Sequence, residues 1–107
     1  MKETLQKLVK SFGPVGYEDE VRVAIHEEIK GLADQISVNK LGSLIAVKQG
    51  SSQGKKIMLV AHMDEIGLIV KHIDARGFER VAQLGTVYPI YSIGGRVRFA
   101  EGQLGVI

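Results

Sequence analysis

At 107 residues, 45% of them hydrophobic and 24% charged, the chain has the size and apolar content of one small globular domain or part of a larger one, and it does not read as disordered. Its net charge of +2 balances 14 basic against 12 acidic residues scattered along the chain, with no basic run interleaved with aromatics, so nucleic acid is a poor candidate partner. The lack of cysteine excludes a disulfide framework and a thiolate metal site, and no segment approaches the ~20 apolar residues of a membrane-spanning helix, so the expected setting is cytoplasmic, with no membrane partner.

The N-terminal "MKETLQKLVKSFG" is too interrupted for a secretion signal, and Leu5, Leu8, Val9 and Phe12 instead mark the stripe of an amphipathic helix ended by Gly13-Pro14. After a loop containing Gly16, the series Val21, Ile25, Ile29, Leu32 repeats the helical spacing. Glu18, Asp19 and Glu20 then lie in the first turn, where the helix dipole favours negative charge, and need no catalytic explanation. "QISVNKLGSLIAVKQ" predicts a hairpin with a turn over Asn39 to Gly42, and Gln49 to Gly54 a flexible surface loop. The run beginning at Ile57 shows no alternation and predicts a strand buried on both faces, as in the middle of an α/β sheet. "GLIVKHIDARGFERV" predicts a second hairpin turning at Asp74 to Gly77, and "GGRVRFAEGQLGVI" a third turning around Glu101-Gly102. There is no internal repeat. The helices and hairpins are too few to cover both faces of the strand at Ile57, and the chain stops inside strand-like sequence, so the expectation is the beginning of something longer.

Within "IMLVAHMDEIGLIV" the apolar run gives way to a titratable cluster. On an extended strand His62 and Asp64 share a face with Met58 and Val60, while Met63 and Glu65 point the other way. Ligand sites of open α/β sheets gather at the carboxyl ends of strands, where His62 falls. A neutral imidazole suits zinc or cobalt, and a carboxylate two residues on can ligate or fix the ring's tautomer. The spacing equally allows a strand-end histidine satisfied by a backbone group or by Asp64, with Glu65 solvated. His26 sits among charged positions of the second helix and reads as solvated, and ten residues of straight strand would carry His72 far from His62.

Three segments in register, "SFGPVGYEDEVR", "NKLGSLIAVK" and "LVAHMDEIGLIV", resemble the glutamyl and deblocking aminopeptidases, dinuclear metallopeptidases that build tetrahedral (TET) particles. The resemblance covers essentially the whole chain. It implies an α/β fold, with residues 1–67 the start of a zinc-peptidase-like α/β sandwich catalytic domain. Residues 68–107 would then be the opening strands of an inserted β-rich assembly domain. It further implies two divalent metal ions, zinc or cobalt, with His62 a metal ligand and Asp64 orienting its imidazole, and peptides as substrates of a homo-oligomer, a dodecamer at full length. For Glu65 and Gly67, local hydrogen bonding and close packing compete with a direct role, and the glycines of Gly13 to Glu18 read as backbone requirements. Family members are far longer, and their bridging aspartate, general-base glutamate and remaining ligands follow the point where this chain stops, so the isolated chain is expected to be inactive. Two other classes stand beside this one: a non-catalytic truncated fragment acting through association, and an endoglucanase, which the lack of tryptophan and the 6% aromatic content disfavour.

Overall fold

The computed structural model describes residues 1–51 and 53–107, leaving Ser52 of the expected 49–54 loop outside the described residues. It divides into two units, Met1–Gly13 with Tyr17–Asp64, and Pro14–Gly16 with Glu65–Ile107.

The first unit carries the two expected helices, α1 (Lys2–Lys10) and α2 (Asp19–Ile29), and the first hairpin, β1 (Gln35–Val38) with β2 (Leu44–Val47). The apolar stripe of α2 supplies the core: Val21 and Ala24 are 5% and 7% exposed, with Ile25 and Ile29 half-buried. In α1 only part of the stripe is covered, since Leu8 is half-buried whereas Leu5 and Val9 are exposed. Glu28 ties the helices together, accepting from Lys7 Nζ at 2.9 Å and Thr4 Oγ1 at 3.2 Å, and the lysine holds its carboxyl below the usual range. β1 and β2 pair antiparallel from Gln35 opposite Val47 to Val38 opposite Leu44. Asn39 closes their turn, its Oδ1 accepting from the amides of Leu41 and Ser43, and Arg22 Nε of α2 donates to the Gly42 carbonyl at 2.8 Å. Asp34, at the hairpin's base, accepts from Lys48 Nζ and the Gln49 amide, and both contacts lower its pKa, the lysine's most.

The second unit is built on β3 (Gly67–Ile73) and β4 (Glu79–Leu84), antiparallel from Gly67 opposite Leu84 to Ile73 opposite Glu79, with a register shift between Val70 and His72. Asp74 organises the turn: its Oδ1 accepts from the amides of Phe78 (3.0 Å) and Arg76 (2.8 Å), and these backbone bonds depress its pKa. β5 (Arg96–Arg98) and β6 (Leu104–Val106) form the third hairpin, which two further backbone bonds between Gly94-Gly95 and Ile107 extend. All three hairpins fall where the turn chemistry put them. The short helix α3 (Pro89–Ser92), with proline in its first turn, is additional to the expected elements.

The structure corrects one expectation. Ile57–Val60 do not form a buried strand: they carry no strand pairing, and their exposure runs from 80% at Val60 to 93% at Leu59. An apolar run expresses a preference for burial, but a strand also needs a neighbour about 4.8 Å away, and none of the described strands is registered against it. Among the described residues no helix is long and apolar enough to cross a membrane.

Candidate metal centre

Beyond the apolar run, the chain brings His62 and Asp64 together by a local contact in place of a shared strand face. His62 Nδ1 lies 3.0 Å from the backbone carbonyl oxygen of Asp64 and 3.4 Å from its Oδ1. Two oxygens facing Nδ1 favour the tautomer in which Nδ1 carries the proton and donates, which leaves the Nε2 lone pair available. The ring's side chain is 83% exposed, so that lone pair is open to an incoming ion. A histidine whose second nitrogen is held by a carboxylate or carbonyl is the usual form of a metal-ligating imidazole. The donor set thus fits one ligand with its orienting group. It does not fit a whole coordination sphere, because the described residues contain no group of three or more histidine, cysteine, aspartate or glutamate side chains able to hold an ion.

Asp64 therefore reaches the imidazole through two atoms, and the carbonyl is the nearer. Spacing alone could find the side chain but not the carbonyl, since every residue carries one. The other titratable candidates stay elsewhere. His26 remains on α2, with Nδ1 3.6 Å from Glu27 Oε1, and His72 lies in β3 opposite Arg80. In the second unit Glu65 makes a parallel bridge with Pro14, and Gly67 packs so closely that a Cβ there would sit 2.8 Å from Pro14 Cβ.

The family model for M42 glutamyl aminopeptidase matches residues 42–107. A protein of Acetivibrio thermocellus is 49% identical over 107 residues, which are 100% of this chain and 32% of that protein. Among solved structures, a TET aminopeptidase from a marine-sediment archaeon of the Thaumarchaeota superposes with a TM-score of 0.88 at 32% identity, covering 98% of this chain and 30% of its own. An endoglucanase from Thermotoga maritima superposes with a TM-score of 0.80 at 37% identity, covering 86% of this chain and 30% of its own. The chain thus spans about a third of the length of the proteins it matches.

Proposed function

The chain belongs to the M42 glutamyl aminopeptidase family, and on that footing we propose that its residues serve a metal-dependent aminopeptidase that removes N-terminal residues from peptides. The observation that carries this reading is the His62–Asp64 contact, 3.0 Å from Nδ1 to the carbonyl, which presents Nε2 as a ligand. His62 would hold one of two divalent ions, zinc or cobalt, and Asp64 would keep the imidazole in its ligating tautomer. Such ions would supply Lewis acidity toward a water and a peptide carbonyl. The chain's own part is to fix the ring and hold the Nδ1 proton; the remaining ligands and the general base would come from outside these 107 residues. On this reading the 107 residues by themselves, about a third of the length of the matched proteins, would be inactive.

We assign residues 1–67 to the catalytic domain and 68–107 to the start of a β-rich assembly domain. Likeness to a TET aminopeptidase is the support for a homo-oligomer, which we take to be a dodecamer at full length. The cysteine-free composition is consistent with a cytoplasmic setting. The likeness to the Thermotoga maritima endoglucanase makes glucan hydrolysis the second reading. Glycosidases need two carboxylates flanking a sugar cleft, and Asp64 is already turned to His62.

Native mass spectrometry of the natural protein, with peptide and cellulose assays before and after metal stripping, tests these readings. Two metals per subunit, a dodecamer, and peptidase activity lost on stripping are expected, and His62→Ala should lose metal and turnover together. Undiminished metal content and turnover in H62A, or cellulose hydrolysis by the stripped protein, would overturn the proposal.

A further inference from the structure

Gly13 is buried, lies between α2 and the metal-centre segment, and has no positive φ, so its backbone does not require glycine. Space does. A Cβ built on it would sit 2.7 Å from Val21 Cγ1 and 3.2 Å from Val21 Cβ, with the Met63 carbonyl oxygen next at 3.7 Å. Val21 is the most buried side chain of α2 and is β-branched, a type held near one rotamer in a helix, so its methyl cannot swing aside. The displacement would fall on the Gly13 backbone, and the Met63 carbonyl oxygen, 3.7 Å from the same Cβ position, borders that place. The His62–Asp64 contact spans Met63, so Met63's backbone torsions set its length.

From this packing we infer that Gly13 is a positioning residue for the His62–Asp64 pair: by lacking a side chain it lets the rigid core helix seat the backbone that joins the ligand to its orienting group. The inference rests on the metallopeptidase reading above.

The test is a metal titration of the apo natural full-length protein with Zn²⁺ or Co²⁺, together with thermal unfolding, on Gly13→Ala, Val21→Ala and the double variant. G13A should bind the histidine-dependent metal about tenfold more weakly, the scale of lost outer-shell support. V21A should unfold at lower temperature yet keep its metal affinity. The double variant, with the obstructing methyls gone, should regain affinity while keeping the lower unfolding temperature. Wild-type affinity in G13A, affinity that merely follows unfolding temperature across the three variants, or a G13A protein that does not fold would overturn the positioning role. H62A run in parallel separates the two failures: if it keeps full metal content the metallopeptidase reading fails, whereas loss of metal in H62A beside wild-type binding in G13A sinks only this inference.

Discussion

Asp64 offers His62 two oxygens, and they are not equivalent. The carbonyl at 3.0 Å is fixed by the backbone and survives any substitution, whereas the carboxylate at 3.4 Å can be removed by mutation. Asp64→Ala should therefore weaken metal binding about tenfold, the low end of the 10- to 100-fold range for outer-shell changes, and not abolish it as His62→Ala should. Metal titration of the two variants side by side checks the order, and equal losses would show that the carboxylate does the holding. The partnership was legible in the sequence as a His-x-Asp spacing, but its geometry was not. A shared strand face would have set the two side chains parallel, whereas the unpaired segment lets the histidine ring reach the Asp64 carbonyl.

The hairpins were legible because turn chemistry is local. Asp74 caps its own turn through two amides, and Gly77 three residues on takes φ +86° with its amide donating to the Asp74 carbonyl. Among the described residues nothing lies within 4 Å of where a Gly77 Cβ would go, so Gly77→Ala isolates the conformational cost, about 1 kcal/mol for a left-handed non-glycine residue. Amide exchange of Ile69 and Ala82, paired across β3 and β4, should accelerate about fivefold in that variant. An unchanged rate would mean that the turn does not limit opening of the ladder. The helix α3 escaped prediction because four residues cannot display a period, even with proline at the start. The run at Ile57 misled for the opposite reason: hydrophobicity declares what a segment would gain from cover, and nothing within the sequence of the run says which strand supplies it.

At the scale of the whole molecule, that run is the most exposed apolar stretch beside the candidate centre, four large side chains in succession. Contiguous exposed apolar surface drives association. The 107-residue chain by itself should sediment as species heavier than 11.7 kDa, and Leu59→Lys should shift it toward that mass. A sharp 11.7 kDa boundary for the unsubstituted chain would show that the run is covered in solution.

Each of the three sheets among the described residues is a pair of chain neighbours, and that has a consequence in time. Hairpins close in about 1–10 μs and need only the residues flanking their own turns. Pairings between distant parts of a chain wait for slower loop closure. On a ribosome, β1 with β2, β3 with β4 and β5 with β6 can each form as soon as its second strand emerges. The stretch from Ile57 to Asp64 belongs to none of the described strands. The segment that carries the candidate ligand has no such ladder of its own, and the neighbours it has beside Gly13 and Val21 are laid down by the chain before it emerges.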